Sequence, residues 1–550
     1  MSNLAKQITT AILLIFSGVL LAQQNVTPAF SATEKIRLHT NATTLVSGET
    51  LYYKLYCHDA GNRPGQLSKI AYVSLVGPDR KAVFTQKLYL ENGVAQGDFF
   101  IPSSLNSGSY KLVGYTKWMA GQPVTEIPQL DVAVINPFAP AGKMGSEMSY
   151  KSMRLSSLNA SVTAKKPTWA AREKIELDIT LPSDGNYSLS VRRKDSLSTL
   201  FPEQSTESQS TFKLSESRFM PELRGETISG KLTTKNGAAV SGITVSLSFP
   251  GKSFATKVIN TRNDGSFTFT LDHPYFQSEA VLQVGSENRE NFTVTLDDLP
   301  QPDFSSLTFA PFPVTEAARS NIKAHAVASQ IENAYFVRKK DSIAAFATIP
   351  NFYEPSGTVY KLDDYTRFAT FAETLTEVVE GTYFTKKDNK YSVHVREFIV
   401  AYDPTGDSMV LVDGIWLPDP SELFDYPAKN IDRITSIPGT YYLGSKGFNG
   451  LVSVQTKEGK YQPKSEGSYI LKDKLPRPFP PKNYYAPDYS ANNDTRIPDY
   501  RYQLAWIPKL ENQKTVAFYA SDVKGTFEAV IEGFAQDGTP VFATAAFEVR

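Results

Sequence analysis

Short runs of alternating apolar and polar residues, broken by Gly, Pro, Asn and Asp, recur along most of the chain. Alternation sends successive side chains to opposite faces of a pleated strand, and the breakers supply turns. Leu51-Tyr52-Tyr53-Lys54-Leu55-Tyr56-Cys57 is one such run, rich in the aromatic residues that favour strands. Runs spaced at roughly ten residues predict several β-sandwich modules in series.

The first module spans 33–138, with strands predicted at Ile36–His39, Glu49–His58, Ile70–Val76, Ala82–Leu90, Ala95–Ile101, Gly108–Trp118 and Leu130–Ile135. A linker rich in Pro, Gly, Ser and Met follows at Asn136–Tyr150. A second sandwich-like domain, 155–222, has strands at Lys174–Leu181 and Asn186–Lys194. A third, 223–297, carries turns at Asn236-Gly237 and Asn263-Asp264-Gly265 between strands such as Gly242–Phe249 and Ser266–Leu271. In 311–460 the pattern changes. Ile322, Ala326, Ala328, Ile331, Ala334 and Tyr335 recur at helical spacing, and Thr370–Val379 reads as a helix with Phe371, Leu375, Val378 and Val379 on one face. A last small β domain occupies 500–550, with a turn at Asp537-Gly538.

Residues 410–456 are the most informative stretch. A strand ends at the Asp413-Gly414 turn, Ile431-Asp432-Arg433-Ile434 opens another, a glycine-rich loop follows, and Leu451–Thr456 makes a third. Asp413, Gly414, Ile431, Ile434, Gly439, Gly444, Gly447, Asn449, Gly450, Thr456, Lys457 and Gly459 match a run that resembles the plug domain of TonB-dependent outer-membrane receptors. No surrounding barrel is expected from this sequence. Only 90 residues follow Lys460, and Pro463, Pro476, Pro478, Pro480, Pro481, Pro487 and Pro498 interrupt the first of them. A closed barrel takes about 8 strands of roughly 10 residues, and proline cannot donate to a central ladder.

Two further resemblances frame this one. Thr43–Tyr56 and Ser107–Leu112 resemble strands of macroglobulin-type domains, and Arg172-Glu173-Lys174-Ile175 resembles their turn with Arg in the glycine position. The module over residues 225–297 resembles the carboxypeptidase regulatory-like domain, a sandwich without catalytic residues that often precedes a plug. The module order as a whole is similar to that of exported multidomain proteins of Bacteroidota. The expected fold is therefore mostly β: serial Ig-like or macroglobulin-type β-sandwiches with a mixed α+β plug-like domain.

Targeting and charge narrow the setting. Lys6 followed by the apolar run Ala11–Leu21 and Ala22 reads as a secretory signal peptide over residues 1–22, too short for a spanning helix of about 20 residues. No later segment is long and apolar enough, so no transmembrane segment is expected in the mature chain, while peripheral membrane association stays open. Lys plus Arg and Asp plus Glu are both 57, which gives no basic stripe for nucleic acid. Cys57 is the single cysteine, so no intrachain disulfide forms; it reads as a packed strand residue.

Catalytic motifs are missing from the sequence. Tyr56-Cys57-His58 has no thioester context, and His39, His58, His273, His325 and His394 are scattered, without zinc-ligand spacing, and read as strand or surface residues. No GxSxG elbow or phosphate-binding glycine pattern occurs. Asp363-Asp364, Asn493-Asp494 and Asp499 offer oxygen ligands but read as solvated loops. The expectation is a non-enzymatic exported binding or scaffold protein of the periplasm or outer-membrane surface, with no cofactor and no metal. Its expected partner is an outer-membrane barrel protein or complex, and its docking candidates are Asp413, Gly414, Gly439, Gly444, Gly447, Asn449 and Gly450. A cell-surface carbohydrate-binding or adhesion protein is the alternative.

Overall fold

The computed structural model describes residues 33–139, 157–200 and 219–550, apart from 276, 313, 315–317, 345–348, 389, 397–405 and 491–495. The signal-peptide segment, most of the Asn136–Tyr150 linker and the Asn493-Asp494 pair lie outside the described residues. The fold is mostly β, a series of two-layer sandwiches with one mixed sheet. No helix among the described residues is long and apolar enough to cross a membrane.

In the first sandwich a three-stranded sheet faces a five-stranded one. The predicted strands are present, and the short Thr44–Val46 adds an edge parallel to Gln129–Ile135. Period-2 alternation explains the central strand Thr50–His58: Leu51, Tyr53, Leu55 and Cys57 enter this sandwich's core. The opposite face is buried too, against the second sandwich. There Tyr56 donates its hydroxyl hydrogen to the Glu532 carbonyl at 3.0 Å, and Arg37 pairs with the Glu532 carboxylate at 2.6 Å. Lys54 donates to the Tyr187 carbonyl at 3.0 Å, and burial pushes its ammonium down to about 7.

The second sandwich corrects the expected domain plan. Gly185–Arg193 lies between Gln503–Leu510 and Gly525–Ala535 in one five-stranded sheet, and Lys174–Thr180 lies between Ser161–Ala164 and Thr515–Tyr519 in the other layer. Segments 155–222 and 500–550, expected to be separate domains, are two parts of one sandwich with one core, in which Ile175, Leu189 and Val191 meet Phe527, Ile531 and Phe547. Neither part can bury its apolar face alone.

Between these parts the chain builds everything else. The third sandwich stacks Ser266–Leu271, Glu226–Thr234 and Phe292–Leu296 against Ala255–Asn260, Thr244–Phe249 and Glu279–Val284. Its seventh strand, Ile470–Lys474, comes from the proline-rich segment that follows Lys460 and pairs with Glu279–Val284. Helix α1 (Arg319–Ala334) and helix α2 (Phe371–Val378) form where helical spacing placed them, and Thr370 caps α2 by accepting from the Glu373 amide at 3.3 Å.

Two histidine and acid readings also change. His325 is neither a strand nor a surface residue: it sits on α1, 2% exposed, with Nδ1 2.9 Å from Glu49 of the first sandwich and Nε2 2.7 Å from Asp195 of the second. Asp499 is not in a solvated loop. It is 1% exposed and holds Arg501 at 2.7 Å.

Candidate functional site

The mixed sheet runs in the order Thr358–Lys361, Ile431–Leu443, Lys446–Thr456, Met409–Val412, Ile415–Trp416, with one parallel pair between Lys446–Thr456 and Met409–Val412. Helix α2 covers it through Phe371, Leu375 and Val378. Val410, Val412, Ile434 and Val454 continue into the core of the third sandwich, so the two units share one apolar interior.

The glycine-rich loop of the sequence is a hairpin arm, the outer half of Ile431–Leu443 and Lys446–Thr456. Gly439 lies in an irregularity of register between Ile437 and Thr440, at φ +85°, where the arm bends. Gly444-Ser445 closes the hairpin between the paired Leu443 and Lys446. Alternation divides the arm into two faces. Tyr441, Leu443 and Phe448 turn inward onto Phe254, Val258, Phe352 and Trp416. Tyr442 turns outward at 76% exposure, its ring lying across Gly447, where an added Cβ would sit 3.0 Å from the ring.

The predicted docking residues therefore divide. Asp413 is fully buried at φ +49°, and its carboxylate accepts hydrogen bonds from the Thr456 amide at 2.7 Å, the Thr456 hydroxyl at 2.5 Å and the Tyr461 amide at 2.9 Å. Gly414 packs against the Phe254 ring, and its carbonyl accepts from the Thr256 hydroxyl. Gly450 is buried against Val395. Gly444 rests on the Val258 backbone, where a Cβ would run into the carbonyl. Asn449 is half-buried, and its amide donates to the Asp407 carbonyl at 3.3 Å. This glycine-lined backbone packs on Phe254, Thr256 and Val258 of the same chain. Of the seven candidates, Gly444 and Gly447 are exposed, and Gly447 lies on the outer face under the ring of Tyr442, which the sequence motif did not single out.

Electrostatics sets the arm's rim. Lys446 lies 5.1 Å from the Trp416 ring and 5.5 Å from that of Phe448, and burial lowers its pKa. Among the described residues no group of three or more His, Cys, Asp or Glu could hold a metal ion. Cys57 is fully buried, and burial pushes its thiol well above the usual range, which suits packing rather than nucleophilic attack.

No family model matches the chain, and no curated protein matches it. Among solved structures it is similar to trypsin-activated alpha-2-macroglobulin from Escherichia coli at 11% identity and TM-score 0.23, over 96% of this chain and 42% of that one. Salmonella alpha-2-macroglobulin reacted with methylamine gives 11% identity and TM-score 0.23, over 94% of this chain and 39% of that one. The D0-D1 domain of Intimin gives 11% identity and TM-score 0.15, over 48% of this chain and 93% of that one. The chain spans less than half the length of these macroglobulins. At such scores the similarities transfer no function.

Proposed function

We propose that this chain is a non-enzymatic exported binding or scaffold protein that docks on an outer-membrane protein complex through the outer face of its hairpin arm. One observation carries the reading: Tyr442, 76% exposed, stands on an arm whose other face is pinned to the third sandwich. An aromatic ring held on a rigid ribbon loses little freedom on binding, and such rings anchor protein interfaces. The exposed Pro438 and Thr440 extend the same face. Resemblance of the Asp413–Gly459 run to receptor plugs supplies the class of partner, and the export reading rests on the N-terminal sequence.

Removing the whole plug-like segment is a poor test, because Val410, Val412, Ile434 and Val454 belong to a core shared with the third sandwich. Tyr442→Asp leaves that core intact, and an exposed substitution of this kind changes stability by about 0.5 kcal/mol or less. Affinity capture from detergent-solubilised outer membrane then compares the two proteins. Loss of co-purifying barrel proteins with the variant supports docking through the arm. Unchanged capture moves the docking surface elsewhere, and retention on glycans alone favours the carbohydrate-binding reading.

A further inference from the structure

Thr382–Lys387 and Lys390–Val395 pair antiparallel into a two-stranded ribbon that belongs to no larger sheet. Alternation gives it two unlike faces. Phe384, Tyr391 and Val393 turn inward: Tyr391 stacks on Phe424 with centroids 4.0 Å apart, and Phe384 meets Phe424 edge to face at 4.8 Å. The root is fastened too. Val395 packs on Gly450 at the base of the hairpin arm, and its amide donates to the Ser408 hydroxyl at 3.0 Å. The outer face carries Tyr383, Thr385 and Lys387 on one strand and Lys390, Ser392 and His394 on the other, with no acidic residue among them.

The register sets Lys387 directly opposite Lys390, across the turn that begins at Asp388. Like charges directly opposite each other destabilise a strand pair, and such broken rules mark functional positions. Among the described residues neither lysine has an ion-pair partner, and both are exposed. Lys386 beside them lies over the Tyr391 ring at 4.9 Å. Asp388 is the single carboxylate in Thr382–Val395, against these three lysines. Carboxylates on neighbouring elements do not make up the difference. Glu422 follows Ser421, whose hydroxyl accepts from the Tyr391 amide at 2.9 Å, but Glu422 is held by the Tyr461 hydroxyl at 2.6 Å and the Lys464 amide at 3.1 Å. Glu380 and Asp407 stand at the root; four or more residues of strand, about 13 Å, separate it from the lysine pair, beyond a Debye length of ~8 Å. The tip thus concentrates positive charge on a chain whose formal net charge is zero.

We propose that this ribbon tip docks on an anionic lipid surface, with Lys386, Lys387 and Lys390 against the lipid phosphate groups. An ammonium acts on phosphate as a point charge and needs no fixed geometry, which suits a fluid array of headgroups. A rigid ribbon presents its lysines together, and each basic residue brought to such a surface tightens binding about fivefold. Single-stranded nucleic acid is a worse fit, because it is held on open aromatic faces. The Tyr383 ring is stacked on His394 at 5.1 Å with the Arg396 guanidinium 5.4 Å from its centroid, and His394 donates from Nδ1 to the Gly406 carbonyl at 3.2 Å. Both rings are committed within the protein. Because the ribbon is rooted on the hairpin arm, an arm docked on an outer-membrane complex carries the ribbon to the lipid beside it. The choice of lipid rests on that reading; the charge on the tip does not.

Vesicle co-sedimentation of the full chain tests this, with phosphatidylcholine alone and with about 30% phosphatidylglycerol added. Both compositions present the same acyl interior, so their difference reads charge. The expected result is binding about tenfold or more tighter to the phosphatidylglycerol vesicles, lost as salt rises from about 0.1 M to about 0.5 M. Lys387→Gln/Lys390→Gln removes the opposed charges and leaves the inner face untouched; at about fivefold per lysine, its binding falls about 25-fold. Lys387→Arg/Lys390→Arg keeps binding. Lys231→Gln/Lys235→Gln makes the same change in net charge at two exposed lysines of the third sandwich and keeps binding too. Equal binding to both compositions, full binding by Lys387→Gln/Lys390→Gln, or an equal loss in Lys231→Gln/Lys235→Gln overturns the proposal. Capture by heparin or by a single-stranded oligonucleotide without binding to vesicles overturns it as well. The vesicles contain no protein, so failure here with capture of barrel proteins intact sinks the lipid contact alone. Vesicle binding without such capture sinks docking through Tyr442 alone.

Discussion

Replacing Asp413 with Ala removes the acceptor for three hydrogen bonds while changing only one side chain. The Thr456 and Tyr461 amides and the Thr456 hydroxyl lose a charged partner in a fully buried site. Hydrogen bonds to charged groups contribute ~1.5–3 kcal/mol each, and an orphaned buried donor costs ~1–3 kcal/mol. Contributions within one network are not additive, so the expected loss is about 3–5 kcal/mol rather than the sum. Asp413→Asn keeps one acceptor oxygen and tolerates the positive φ, so its loss is smaller, about 2 kcal/mol. A chain of several sandwiches unfolds in more than one step, which makes a single global midpoint the wrong readout. Hydrogen exchange of the Thr456 and Tyr461 amides reports the local opening directly. A local loss of 3 kcal/mol speeds their exchange by about a hundredfold, since ~1.4 kcal/mol is tenfold. Exchange within a factor of about 3 of the native chain in both variants would refute the account of Asp413 as the clasp of the mixed sheet.

The junction at His325 is pH-dependent. Burial alone pushes the imidazole down, but Glu49 and Asp195 outweigh it and hold it above its usual range, while Glu49, opposed by Arg192 and His325, falls to about 2. His325 therefore stabilises fully below about 6.5 and loses that contribution as pH rises through its raised value; Glu49 stabilises above about 4.5 and loses it as pH falls towards 2. Exchange at the α1 amides should be slowest near pH 5–6 once intrinsic rates are divided out, and His325→Gln should remove the alkaline limb. Glu226 bridges Lys87 at 2.7 Å and Arg477 at 2.8 Å, all three 4% exposed or less, so Glu226→Ala strands two buried cations and costs about 3–5 kcal/mol locally, read as faster hydrogen exchange of the Glu226–Thr234 strand amides. Gly444→Ala meets both a φ of +59° and the Val258 carbonyl, whereas Gly237→Ala meets only a φ of +82° in open space. The first should loosen the arm tip in limited proteolysis, and the second should lower stability by about 1 kcal/mol without doing so.

Strand positions were legible because period-2 alternation is a local signal, and the helices because Phe371, Leu375 and Val378 recur at the helical spacing. Strand partners were not legible. Gly185–Arg193 pairs with Gly525–Ala535 across more than 300 residues of chain, and alternation fixes the face a strand presents without fixing its neighbour. His325 gave no signal for the same reason: its partners, Glu49 and Asp195, are distant in sequence and belong to different sandwiches. The glycine-rich arm was legible as a structure and misleading as a surface. Gly414 and Gly444 are glycines because Phe254 and Val258 press against them, an internal reason that looks identical in sequence to an external one.

The nested plan decides where binding surfaces can form. Residues 226–474 hold the third sandwich and the mixed sheet, and the second sandwich closes only when Gln503–Val549 returns to Ser161–Arg193. Closure brings Tyr502 to the His325 ring at a centroid distance of 4.0 Å and places Arg501, Gln503 and Trp506 beside Glu49 and Tyr52. The walls of the cavity at this junction, about 190 Å³ in volume, therefore come from both ends of the chain and from α1 between them. Long-range pairing of this kind carries the larger loop-closure entropy, so the second sandwich is the costliest unit to form locally. Its closure is also the step that buries Asp195, Arg192 and Glu49 against His325, which fixes α1 and with it the Glu332 and Lys339 side of the cavity. The hairpin arm depends on a different set of contacts, those to Phe254, Thr256 and Val258 within the inserted part. Arm and cavity are thus held by separate cores, so a substitution at Tyr442 leaves the cavity intact.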